Sequence, residues 1–260
     1  MPSSKTPLPS ASSVPVAKAS RKTARSAAAP VAKGYHHGAL PEAVLAAAER
    51  VLLRDGIAGL GLRAIAREAG VSHTAPKHHF GDTTGLLSEL AAVGFGRLGA
   101  AMRAAGEGVA DAYLRRKAVG AAYVHFAHAH PAMFSLMFRN ELVDMRRPSL
   151  ARATAAMMRT IVPAVGGEPD EAGTEESSAA TERPDPVTLA RTDAMRITAA
   201  WAYVHGLATL LIDNRLRGVL KVAPDFESPL ALVDVVLREV DMGLDFSAKA
   251  PGGSRGQSTR

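Results

Sequence analysis

A chain of 260 residues, 47% hydrophobic and 22% charged, has globular usage with room for one large helical unit or two ordinary modules, and it excludes collagen and global disorder. With no cysteine there is no disulfide, thiolate zinc site, iron–sulfur cluster or cysteine nucleophile. The net charge of +6 sits in the first 33 residues, where Lys5, Lys18, Arg21, Lys22, Arg25 and Lys33 stand without an acid; from Gly34 onward 25 bases balance 25 acids.

Residues 1–33 are Ser, Ala, Pro and Lys with almost nothing large and apolar, so a disordered basic tail is predicted. Beside a nucleic-acid module it would add salt-sensitive, sequence-blind affinity; otherwise it is a solubilising leader. It lacks the continuous apolar segment of a secretory signal. The longest apolar stretch free of charge, Ile197 to Ile212, falls short of the roughly 18–20 residues a bilayer needs and reads as a buried helix. A cytoplasmic protein without membrane contact is expected.

From Leu40 the pattern turns helical: Leu40, Val44, Ala48, Val51 and Leu52 repeat at one-face spacing, with Pro41 in the first turn and Gly56 as the stop. A second stripe, Leu62, Ile65, Ala66 and Ala69, spans barely two turns before Gly70. Ser72 then offers an N-cap for a very short third helix ending near Phe80. Asp82, Thr83 and Thr84 supply caps for a longer helix through Leu86, Leu87, Leu90, Val93 and Leu98. No strand periodicity follows. Further helices are predicted over Asp111–Ala129, Pro131–Phe138, Pro148–Val162, Pro186–Arg217 and Pro229–Leu244. Asp185-Pro186 and Ser228-Pro229 each place an N-cap before a first-turn proline. Residues 166–185 carry seven acids and one base, Arg183, and are expected to form a flexible acidic loop.

Residues 62–80 read as a helix-turn-helix, whose second helix stands out for the major groove of double-stranded DNA. Ile65, Ala66, Ala69 and Val71 face inward. His73, Thr74, Lys77 and His78 remain outside, able to reach bases or phosphates. Pro76 belongs in the first turn, since inside a helix it would cost about 3 kcal/mol. With Ala75 it is a candidate to press on thymine methyls. Residues 34–90 hold five bases and six acids, so affinity should lean on dimerisation, helix N-termini and the tail.

The run from Leu40 to Leu87 resembles the DNA-binding domain of the TetR/AcrR family of transcriptional regulators. The resemblance is carried by Ala47-Ala48 before Val51-Leu52, Asp55-Gly56, Arg63-Ala-Ile-Ala66, Ala69-Gly-Val-Ser72, His79-Phe80 and Leu86-Leu87. It implies DNA contact through Arg63, Ser72, His73, Thr74, Ala75, Lys77, His78, His79, Thr83 and Thr84. Two positions depart from the family: Lys77 replaces an aromatic two before the His-Phe pair, and Thr83-Thr84 replaces a Lys-Glu. The family's Tyr and Lys there touch phosphate, so an altered backbone clamp is expected, with the Lys77 cation and two hydroxyls in their place.

Ile197, Trp201, Val204, Ala208 and Leu211 step by 4, 3, 4 and 3, and Leu230, Val233, Leu237, Val240 and Leu244 by 3, 4, 3 and 4. Both read as seams for a four-helix bundle with a second chain, or as internal core. A two-fold homodimer would present two recognition helices to a palindromic operator with half-sites about 34–36 Å apart. His130-Pro-Ala-Met-Phe-Ser-Leu-Met-Phe138 and Trp201-Ala-Tyr-Val-His-Gly206 resemble the C-terminal domain type of this family with a Trp-His-Gly signature. That resemblance implies a small-molecule effector near Phe126, His130, Phe134, Met137, Trp201 and His205.

The expectation is therefore an all-α chain. Residues 34–84 form a three-helix DNA-binding domain, residues 85–246 a helical ligand-binding and dimerisation domain, and residues 247–260 a disordered tail. The function read from it is an effector-released repressor. Two alternatives are an activator on the same scaffold and a metal sensor using His125, His128 and His130. No cofactor is expected, and no phosphate loop, nucleophile elbow or nucleophile–base pair suggests an enzyme.

Overall fold

The computed structural model describes residues 39–165 and 190–240. Among them the elements are helices, with no strand. The expected tail at 1–33, the acidic loop at 166–185, the Asp185-Pro186 start, Leu244 and the tail at 247–260 lie outside the described residues.

Helix α1 (Ala39–Asp55) buries Val44, Ala47, Ala48, Val51 and Leu52 completely, the i, i+3, i+4, i+7, i+8 spacing of a single face. It stops where Gly56 turns to φ +69°, and a 3-10 turn, Ile57–Gly59, leads into α2 (Leu62–Ala69). Gly70 at φ +68° closes α2 in a Schellman motif: its own N–H bonds the Arg67 carbonyl at 3.2 Å and that of Val71 the Ala66 carbonyl at 3.0 Å. This sharp reversal is what turns the chain toward the next helix.

Helix α3 (Ala75–Phe80) starts later than a Ser72 cap would place it. Ser72 lies in the preceding turn, its carbonyl accepting the Ala75 N–H at 3.1 Å and its hydroxyl paired with that of Thr74 at 3.1 Å. Pro76 occupies the first turn, where its missing N–H costs nothing, and is buried with Phe80. It faces the domain interior, so the expected contact of Pro76 with thymine methyls is withdrawn.

Asp82 begins α4 (Thr83–Gly106) by accepting the Gly85 N–H at 2.7 Å. This helix leaves the helix-turn-helix and becomes the central rod of the second module, packing against α5 (Ala112–Ala129), α6 (Pro131–Met137) and α7 (Pro148–Ala164). A Cβ at Gly94 would lie 2.6 Å from Met137 Sδ, so the missing side chain is what lets α6 lie close on α4. Beyond residue 190 come α8 (Arg191–Ile212), α9 (Arg217–Leu220) and α10 (Pro229–Glu239), the last capped by the Ser228 hydroxyl on Ala231 N–H at 3.1 Å. One hydrophobic core runs without interruption from Val44 to Leu237.

Two expectations need correction. Ile197, Val204, Ala208 and Leu211 of α8, and Val233 and Leu237 of α10, are buried inside their own chain, so these positions of the two seams pack internally, while Trp201 and Val240 stay exposed. Nor is α8 a buried helix: Met195, Trp201 and Leu210 are 47%, 48% and 39% exposed. By length and composition α8 is also apolar enough to cross a membrane, a test that the apolar helix of a soluble protein also passes.

Candidate functional site

Thr74, Ala75, Lys77, His78 and His79 share one open face of the helix-turn-helix. Ser72, His73, Thr74, Lys77, His78 and His79 are exposed and Ala75 is half-buried, while Pro76 and Phe80 on the opposite side fix the short helix to the core. The sequence-predicted base readers are thereby brought together. Of the predicted backbone contacts, Arg63 is exposed on α2, Thr84 is exposed and Thr83 half-buried at the head of α4.

The charges of this module divide into two sets. Arg50 and Arg54 of α1 both hold Glu68 of α2 at 2.9 Å, and Arg54 also pairs with Asp55 at 2.9 Å. These arginines, with Glu68 held below the usual carboxylate range by them, join α1 to α2. Arg63, Arg67 and Lys77 make no ion pair among the described residues and are exposed. Arg67 lies one turn beyond Arg63, on the same flank of α2; the sequence reading passed over it, although the i, i+4 spacing was visible.

One polar link ties this head to the second module, and two more hold the first turns of α4 to the segment ahead of α7. Arg97 of α4 grips Glu49 of α1 through two N–H···O bonds, one of them 2.9 Å. Arg147, ahead of α7, bonds Glu89 of α4 at 2.5 Å. Ser88, the one fully buried polar side chain among the described residues, donates to the Thr84 carbonyl at 2.7 Å and accepts the Asp144 N–H at 2.8 Å. Movement of α4 relative to α7 therefore strains contacts within two turns of the helix-turn-helix.

In the second module Tyr123, Phe134, Phe138, Trp201 and His205 form one aromatic cluster, with ring centroids 4.7–6.5 Å apart. Trp201 Nε1 donates to Tyr123 Oη at 3.2 Å, and Tyr123 Oη lies 2.8 Å from His205 Nδ1. Indole can only donate, so the Tyr123 hydroxyl hydrogen is free to go to His205, which must then be neutral at Nδ1. Burial supports that state: it pushes the His205 imidazole below its ordinary range and the Tyr123 phenol well above.

A small apolar cavity of about 50 Å³ lies between α4, α5, α7 and α8. Met102, Val119, Tyr123, Ile161, Ile197 and Trp201 are among its walls, and Arg116 is the single charged residue of its lining. Of the six residues predicted near a ligand, Trp201 lines this space. His205 and Phe134 stand behind it in the aromatic cluster, Phe126 lies tilted against His130 with ring centroids 4.9 Å apart, and Met137 packs on Gly94. Sequence reasoning missed Arg116 and Tyr123, whose neighbours are fixed by tertiary packing.

His125, one of the three histidines considered for a metal, instead places Nε2 2.6 Å from Asp234 of α10. Among the described residues no three His, Asp or Glu side chains converge on a metal site.

Two family models match the chain: residues 44–90 fit "Bacterial regulatory proteins, tetR family", and residues 117–236 fit "Tetracyclin repressor-like, C-terminal domain". A comparison with curated proteins finds no match. Among solved structures, the chain is similar to a protein of unknown function from Rhodococcus sp. RHA1, at 34% identity and TM-score 0.55, over 78% of this chain and 94% of that one. It also shares its fold with the regulatory protein SCO4313, at 21% identity and TM-score 0.54, over 77% of this chain and 93% of that one. With an exposed recognition helix on a helix-turn-helix head and a helical body, each matched by its own family model, the chain belongs to the TetR family of bacterial regulatory proteins and is a DNA-binding regulator of transcription.

Proposed function

We propose that the protein is a cytoplasmic homodimeric repressor, bound to a palindromic operator and released by a small-molecule effector. The observation that carries the reading is the position of the cavity against α4, the helix that begins at the helix-turn-helix. Effector pockets ordinarily measure about 300–1,000 Å³, whereas this space holds about 50 Å³. An effector must therefore spread the helices to enter, and displacement of α4 carries the recognition helix with it. Ligand energy is thus converted into a change of head spacing, and only differential affinity for the two arrangements shifts the equilibrium.

DNA contact in this reading comes from Arg63, Ser72, His73, Thr74, Ala75, Lys77, His78, His79, Thr83 and Thr84, joined by Arg67. Dimerisation uses the exposed flank of α8, where Met195, Thr198, Ala202 and Leu210 follow one another at helical spacing. The run Trp201-Ala-Tyr-Val-His-Gly206 supports the Trp-His-Gly type as the finer assignment of the C-terminal domain. The test is retardation of duplexes spanning the protein's own promoter region, followed by transcription from that promoter with and without the protein. Retardation with reduced transcription is expected; no retardation at low salt refutes the reading, and increased transcription makes the protein an activator.

A further inference from the structure

We propose that the effector is an uncharged, hydrocarbon-like molecule, taken up without a hydrogen bond to the protein. This rests on the reading of the cavity between α4, α5, α7 and α8 as the effector site, and adds its chemical class.

The cavity offers a ligand almost no polar surface. Met102, Val119, Ile161, Ile197 and Val204 line it with hydrocarbon and sulfur. Arg116, Tyr123 and Trp201 are the lining residues whose side chains carry nitrogen or oxygen, and each is turned away or already engaged. Arg116 borders the space by its hydrocarbon stem, while its guanidinium lies over the ring of the exposed Tyr113, Cζ 5.4 Å from the centroid. Trp201 directs its one donor, Nε1, to Tyr123 Oη at 3.2 Å. That hydroxyl gives its own hydrogen to His205 Nδ1, 2.8 Å away. A hydroxyl, amine or carboxylate entering here leaves water and finds no partner, so its lost hydration is uncompensated, and a charged group loses most. A hydrocarbon gives up no hydrogen bond and gains close contact with the walls. Dry apolar cavities take up benzene and xenon on the same grounds. The lining therefore rejects polar molecules by withholding partners, with no repelling charge required.

The chain contains a single tryptophan, Trp201, and it lines the cavity. Excited at wavelengths that simple benzene rings do not absorb, its emission reports on occupancy directly. Toluene, phenol, benzylamine and benzoate share one ring. Toluene and phenol differ only by a methyl against a hydroxyl, and the other two carry a positive and a negative charge; each is titrated into the full chain without DNA. A saturable change in Trp201 emission is expected with toluene at concentrations at least tenfold lower than with phenol, and both charged probes should be weaker still. Ala200→Leu, which extends a side chain of the lining into the space, should remove the toluene response. Ala164→Leu serves where the first variant loses helix content or melts early. Equal or tighter binding of phenol, benzylamine or benzoate overturns the proposal. So does a toluene response that persists unchanged in the filled variants, and so does the lack of a saturable response to all four probes. Adding saturating toluene to the retarded duplex separates the two readings: occupancy at Trp201 with the duplex still held leaves the hydrocarbon site standing and removes effector release.

Discussion

Arg97 on α4 and Glu49 on α1 form a two-bond pair across the junction between the DNA-binding head and the body. Arg97 holds the Glu49 carboxylate below its usual range, and Glu49 in turn raises the guanidinium. The pair is half-exposed, with 47% of the Arg97 side chain and 25% of the Glu49 side chain in solvent. Water then screens it, and such pairs contribute about 0–1 kcal/mol. Its consequence is orientation of the head more than stability. Arg97→Ala should lower the melting temperature by no more than about 4 °C, the equivalent of about 1 kcal/mol in a chain of this size. The same change should weaken operator affinity severalfold, because the head samples a wider range of angles. Thermal melting and duplex retardation on one preparation check both halves, and a large thermal loss with unchanged affinity would contradict the assignment.

Much of this head was legible in the sequence because its determinants are local. Gly56 and Gly70 were predicted as stops and both take positive φ; Asp82, Asp111 and Ser228 head the helices expected of them. The faces of α8 and α10 were not legible in the same way. A 3–4 repeat marks an apolar stripe but does not say whether its partner is the same chain or another, and here α5 and α7 cover the stripe. Pro76 was misplaced toward DNA because a six-residue helix has too few turns for periodicity to assign a face. Arg116 and Tyr123 could not be found at all: a buried donor without an acceptor is a property of three-dimensional packing.

On the proposed DNA-contact face, base readers and phosphate readers should be separable by mutation. Lys77 is exposed and unpaired among the described residues, and a cation of this kind serves phosphate. Lys77→Ala should weaken binding to all duplexes alike and reduce the slope of log affinity against log salt by about 1. Thr74, on the same open face, should behave differently. Thr74→Ala is expected to change the preferred base at one operator position, with a penalty of about 1–3 kcal/mol for the original site. Binding measured against an operator library at several salt concentrations distinguishes them, and a uniform loss in Thr74→Ala would assign that residue to the backbone.

The chain of bonds from Trp201 through Tyr123 to His205 ties stability to pH. His205 is depressed below its ordinary value of 6.5 by burial, so its neutral form is the one the fold prefers. The unfolded chain then binds the proton more readily. The stability contributed is complete above about pH 6.5 and declines as the pH falls toward the folded-state value. Tyr123→Phe should remove a donor and an acceptor at once, stranding Trp201 Nε1 and His205 Nδ1 at a cost of about 1–3 kcal/mol for each group that finds no water. His205→Gln should flatten the melting-temperature profile below pH 6.5 relative to wild type. An unchanged profile in that variant would mean that another group titrates there.

Dimerisation through α8 makes a demand that the internal seams do not. Ala202 is exposed on the flank bearing Met195, Thr198 and Leu210, and it contributes nothing to the hydrophobic core. Ala202→Arg should therefore leave helix content and melting of the isolated subunit unchanged while placing a long cation where a second copy would approach. Sedimentation is expected to find dimers of the wild type and single chains of the variant. Operator affinity should fall steeply, since two weak half-site contacts no longer act as one. A half-site duplex, which engages one head, should bind both proteins equally. If the variant remains dimeric, the contact lies on another face, and the exposed valines at 219, 222 and 240 become the next surface to alter.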